Sequence, residues 1–213
     1  MREPLAEIEG VKRVKTVLRS EELILSAVSE VLRKAAWVER ERTGIVLGAD
    51  NAIDECKEEY YRGVLAEGPL GASPLSFPYT SANAITAQTT IAFGLHHETF
   101  TVTDGPLSFL KAAGLAFDLI QTGICRAVIA GGFSQKAAFA MLMQDAGAPK
   151  GARHRTIRIT DTQAAAGDAA STASIEETFG SIYAMINGKD GSIKGVDKWG
   201  GNMVFVEIGS LPD

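Results

Sequence analysis

The side chains able to do chemistry in this sequence are few: Cys56, Cys125 and three histidines, His96, His97 and His154. The cysteines lie far apart with no second pair. That spacing excludes a disulfide framework and a cysteine zinc site, and it suits a reducing compartment. Cys125 precedes an apolar run and reads as a small buried hydrophobe, while Cys56 sits on a charged helix and reads as structural. His96-His97 fall in a connection between a helix and a strand. Adjacent histidines can hold a metal, but no carboxylate or third histidine stands at useful local spacing, so no metal site is expected. His154, between Arg153 and Arg155, belongs to a basic stretch that reads as a solvated face, or as a docking surface for an acidic carrier protein. Gly131-Gly132 and Gly200-Gly201 lack the Gly-Lys-Ser/Thr ending of a phosphate loop and the spaced glycines of a dinucleotide fingerprint. They read as tight strand-end turns, and no cofactor is expected.

Elements that would position these groups follow from periodicity. Leu23, Ile24, Ala27, Val28, Val31 and Leu32 recur at helical spacing, predicting a helix over 20–37 that starts at Ser20. Buried strands are read at 43–48 and 127–132, a β-branched strand at 100–103, and a closing strand at 203–208. Helices are expected at 53–65, 81–93, 107–120 and 174–186, with Pro106 at the first helical position of the third. Residues 68–78 and 188–195 read as loop and turn, and the pattern weakens after Phe133. Strand, helix, strand with apolar strands predicts a mostly parallel sheet with helices on both faces.

The composition is that of a folded chain: 46% hydrophobic, 22% charged, net charge −5. It excludes disorder as the dominant state, and the acidic balance argues against nucleic acid as a partner. The first residues lack the apolar core of a secretory signal, and no apolar stretch is long enough to span a membrane. A cytoplasmic protein is expected.

The order of pieces resembles the β-ketoacyl synthase family, which has the thiolase fold. Arg42-Thr43-Gly44-Ile45-Val46-Leu47-Gly48 is similar to the first strand of that family. Residues 73–95 resemble its pocket loop and following helix, and 128–132 the strand after its nucleophile helix. Thr160-Asp161-Thr162-Gln163 with the alanines and Gly167 behind it resembles the segment carrying a catalytic histidine. Trp199-Gly200-Gly201-Asn202 resembles the closing glycine-rich loop. The resemblance implies one thiolase-like α-β-α domain over 1–213, shortened by a large block between about 144 and 156. Residues 1 to about 145 resemble the N-terminal half, and about 155 to 213 the end of the C-terminal half.

The resemblance also assigns roles. A condensing enzyme needs a thiolate to accept the acyl group and two neutral imidazoles for decarboxylation and oxyanion stabilisation. The thiol position, in the turn Asp104-Gly105-Pro106-Leu107-Ser108, falls on Pro106. Ser108 lies about half a helical turn further on and reads as a first-turn polar residue. The second-half histidine position falls on Asp161, whose carboxylate would repel an oxyanion, or simply cap a turn. The preceding lysine falls near Thr156, beside Arg155.

These losses imply a catalytically degenerate, chain-length-factor-like subunit in fatty acid or polyketide biosynthesis. Phe77, Thr80, Ser81, Asn83 and Phe133 would shape the acyl pocket, and Phe100, Thr101, Val102 and Thr103 the dimer interface. The partner would be a second copy or an active ketosynthase, with an acyl carrier protein as a further partner. Two other readings stay open: an acyltransferase with an unconventional nucleophile (Ser108, Asp161 or His154), and a self-associating scaffold with no ligand.

Overall fold

The computed structural model describes residues 18–35, 37–145, 156–163, 175–186, 191–196 and 202–209. Helix α1 (Arg19–Lys34) buries Ile24, Leu25, Val28 and Leu32 on one face. Glu21 and Glu22 in its first turn and Arg33 and Lys34 in its last complement the helix dipole. Its boundary differs from the expected start at Ser20. Leu18 takes the N-cap position, and the Ser20 hydroxyl is spent on a tertiary bond, donating to the Ala52 carbonyl at 2.8 Å.

Strands β1 (Thr43–Ala49), β2 (Thr99–Val102), β3 (Ala127–Phe133) and β4 (Ala138–Gln144) form one sheet in the order β2-β1-β3-β4. Pairing of β1 with β2 and with β3 is parallel, and β4 returns antiparallel to β3. All seven residues of β1 and of β3 are buried, because helices cover both faces. Alternation sorts them. Ile45, Leu47, Ile129 and Phe133 pack with α1 and with α3 (Ala82–Phe93), while Val46, Val128 and Ala130 pack under α4 (Ser108–Gln121). The glycines Gly131 and Gly132 lie within β3 and not at a turn after it. A Cβ at Gly131 would stand 2.6 Å from the Phe139 carbonyl oxygen, so the close approach of β4 requires glycine there.

Strands β5 (Thr156–Gln163), β6 (Gly191–Val196) and β7 (Asn202–Gly209) form a second, antiparallel sheet in the order β5-β7-β6. Helix α5 (Ile175–Ile186) packs on β6 and β7, and α4 touches β7 as well as β1 and β3, so α4 lies between the two sheets. Ile182 of α5 joins the core under α4. Residues 191–195, expected as part of a turn, are strand β6. Helix α2 (Asp54–Glu67) stands apart from the sheets and packs mainly on two 3-10 turns that follow it, Gly68–Gly71 and Phe77–Thr80. Among the described residues no helix is long and apolar enough to cross a membrane.

Candidate functional site

Parallel strands point their carboxyl ends to one edge of a sheet, where loops diverge and leave room for a ligand. A cleft of about 420 Å³ opens there, beyond the ends of β1 and β2. Its walls are the segment from Ala49 to Asp54 with Lys57, then Thr80, Ser81 and Ala82 before and at the start of α3, and Thr103 and Gly105 after β2. The turn out of β1 is fixed by the Asp50 amide, which donates to the Phe133 carbonyl at 3.0 Å. Asn51 has a positive φ of 46° and accepts the Gln135 amide on its Oδ1. Asparagine tolerates that conformation better than most residues.

The turn from β2 to α4 carries the position where the resemblance places the thiol. Gly105 adopts φ +52°, and Pro106 follows it, half-buried. The Leu107 amide donates to the Asp104 carbonyl and the Ser108 amide to the Gly105 carbonyl. The helix itself begins at Ser108, with Leu107 as its N-cap, so Pro106 stands before the first helical position and not in it. The Asp104 carboxylate pairs with Lys111 one turn into the helix.

Ser108 is not among the residues that line the cleft. It is fully buried, accepts the Asp104 amide at 2.7 Å, and has the Gly105 carbonyl at 2.7 Å and the Ala49 carbonyl at 3.0 Å as acceptors for its proton. This hydroxyl ties β1, the turn and α4 together. Replacing Ser108 with alanine leaves the Asp104 amide without that partner and is expected to cost about 2 kcal/mol. A denaturant midpoint measures it, and an unchanged midpoint would remove the structural role.

The other expected site residues separate. Thr80, Ser81 and Thr103 line the cleft. Asn83 is exposed in the first turn of α3, where it accepts the Ser81 hydroxyl. Phe77 lies beside Tyr60, with ring centroids 5.9 Å apart, and is 61% exposed. Phe133, expected on the pocket wall, is instead fully buried in the core against α1 and α3, because its place at the end of β3 turns its side chain to that face. Phe100, Thr101 and Val102 form the edge strand β2, and Thr103 lies just past it. Asp161 lies within strand β5, in register with Val204, and not in a turn. His154, Arg153 and Arg155 lie outside the described residues.

Two features were not visible in the sequence. Asp50, Asn51, Asp54 and Lys57 make the cleft polar, and their only signal is position, directly after a buried strand. At the opposite end of the sheet, the Cys125 sulfur lies 3.3 Å from His97 Nδ1. This is a poor nucleophilic pair, since Cys125 is buried. Desolvation first, then the Glu98 charge, raise its thiol pKa, and the thiol form persists at neutral pH. Burial raises the Cys56 thiol in the same way, with Glu59 adding to it. Among the described residues no group of three histidine, cysteine or acidic side chains is placed to hold a metal ion.

Comparison with known proteins places this arrangement. A search of curated protein sequences finds no match. Among solved structures, one described as the ishigamide ketosynthase/chain length factor aligns with 82% of this chain and 75% of its own, at 14% identity and a TM-score of 0.62. A ketosynthase (ApeO) in complex with its chain length factor (ApeC) from Xenorhabdus doucetiae aligns over 97% of this chain and 82% of its own, at 15% identity and a TM-score of 0.61. At such identity the likeness is one of fold, and that fold is the thiolase-like one. Only a minor part of either neighbour is left unmatched. The sequence profile of the β-ketoacyl synthase N-terminal domain matches residues 7–172, most of the chain. On that match, this chain belongs to the β-ketoacyl synthase family.

Proposed function

We propose that this chain is a non-condensing member of its family: a chain-length-factor-like subunit that pairs with an active ketosynthase in fatty acid or polyketide biosynthesis. The observation that carries the reading is Pro106 at the strand-to-helix turn, where covalent loading would need a thiol. The surroundings support it. Among the described residues neither cysteine nor histidine lines the cleft, Ser108 is buried, and both thiols are buried with raised pKa values. Acyl transfer needs a nucleophile and an imidazole base, and the described residues around the turn supply neither.

A partner would supply the chemistry, and the edge strand β2, unpaired on its outer side among the described residues, is the natural seam. An unpaired strand edge left open invites pairing and is normally covered. Thr103, which lines the cleft, follows directly on that edge, so a subunit docked on β2 would lie close to the cleft.

Incubating the purified chain with acyl-CoA and acyl-carrier thioesters tests the catalytic half of this reading. Intact-mass spectrometry should show no adduct, whereas elongation of the acyl group or an adduct on Ser108 or Cys125 would overturn it. Mixing with a ketosynthase should give a co-eluting complex with altered product length.

A further inference from the structure

Helix α2 is held in an unusual way. Of its 14 residues only Cys56 is buried, although the helix carries Tyr60, Tyr61, Val64 and Leu65. A surface helix normally turns its apolar stripe to the core. Here backbone contact replaces side-chain packing: a Cβ at Gly71 would stand 2.0 Å from the Gly63 carbonyl oxygen, so the turn Gly68–Gly71 is pressed onto the helix. Tyr60 meets Tyr61 edge to face and lies tilted against Phe77, joining the helix to the second turn.

The result is a fixed unit whose large apolar side chains point outward. Tyr61 is 59% exposed, Leu65 86%, Leu70 92% and Leu75 86%. A monomer rarely leaves such a cluster uncovered. Asp54, Glu58, Tyr61 and Leu65 follow one another at spacings of four, three and four, so carboxylates and apolar residues share one helix face. The helix as a whole carries Asp54, Glu55, Glu58, Glu59 and Glu67 against Lys57 and Arg62, all exposed.

We infer that α2 and its two turns form a docking face for a different polypeptide, one presenting an apolar centre rimmed by lysine or arginine. The inference rests on the reading above that the chain works with a partner subunit, and it states that partner's surface chemistry. A second copy does not suit the face. Two-fold pairing sets a patch against itself, and here it would set carboxylates against carboxylates, which disfavours the pair. The face is also continuous with the β2 edge. The turn Phe77–Thr80 packs on both α2 and α3, and α3 packs on β2, so one partner can span both.

Full-length ketosynthases of the source organism, each mixed with the whole chain, provide the probe. Binding is measured at low and physiological salt for the natural chain, the E55K/E58K and L65S/L70S pairs, and Phe100→Glu. The four substituted side chains of the helix and its turn are exposed, so unchanged melting curves are expected for both pairs. E55K/E58K should weaken binding at least about tenfold at low salt and flatten its salt dependence. L65S/L70S should weaken it about tenfold at both salts. If both pairs bind as the natural chain does while Phe100→Glu does not, the docking face is wrong and the subunit reading stands. If no ketosynthase binds, both fall. If the isolated chain dimerises and L65S/L70S makes it monomeric, the occupant is a second copy and the inference is overturned.

Discussion

Gly48→Ala is expected to destabilise the chain by about 3 kcal/mol or more. Gly48 sits near the end of β1 on the face turned to α4, between the alternating neighbours Leu47 and Ala49 that face α1 and α3. A Cβ built there would stand 2.3 Å from the Ser108 carbonyl carbon, 2.4 Å from its oxygen and 2.5 Å from the Phe109 amide nitrogen. All three are backbone atoms of the first turn of α4, so no rotamer change relieves the collision. The helix would have to lift from β1, loosening Phe109, Ala112, Ala113 and Ala116 in the core and breaking the bond from Ser108 to Ala49.

Gly105→Ala is the informative comparison. Its φ of +52° imposes strain, but nothing lies within 4 Å of a Cβ there, so the cost should stay at about 1 kcal/mol. Urea midpoints for the two variants separate collision from backbone strain. A Gly48→Ala loss no larger than that of Gly105→Ala would contradict the close approach of α4 to β1.

Much of the framework was legible because burial on both faces writes a short apolar run, as in residues 43–48 and 127–132. Helix α4 was legible from its long apolar stretch and the turn before it. Strand β4 was missed: Ala138-Phe139-Ala140-Met141-Leu142-Met143 shows no alternation, since both faces of this edge strand are partly covered. Strand β6 was missed because Gly191, Ser192, Lys194 and Gly195 spell a turn locally, and only pairing with β7 makes them a strand. The polar cleft wall is a product of topology, as Asp50 and Thr103 become neighbours only when β1 and β2 lie side by side. The contact of Cys125 with His97 likewise exists only through the parallel register. Phe133 came to the pocket only through the resemblance; its facing into the core is set by strand alternation.

Phe100→Glu is expected to weaken association with the partner by roughly a hundredfold, about 2.7 kcal/mol. In the order β2-β1-β3-β4 the strand β2 ends the sheet, and no described strand pairs with its outer edge. The strand is held in place from within. Phe100 lies beside Val46 in the parallel register, and the Thr101 hydroxyl donates to Thr86 Oγ1 at 2.7 Å, anchoring β2 to α3. An edge fixed in this way can receive a strand without reordering, which favours affinity. Phe100 remains 38% exposed and is the one aromatic residue on that strand, the residue type that dominates binding when covered. A carboxylate there sets an unpaired charge inside the seam, the same device by which natural edge strands avoid pairing. Ile124→Glu serves as the control, because Ile124 is also exposed but follows α4 at the other end of the sheet from the cleft. Sedimentation of each variant with the ketosynthase should show the complex lost for Phe100→Glu and kept for Ile124→Glu. Equal retention by both would take β2 out of the interface and leave the α2 face to carry association alone.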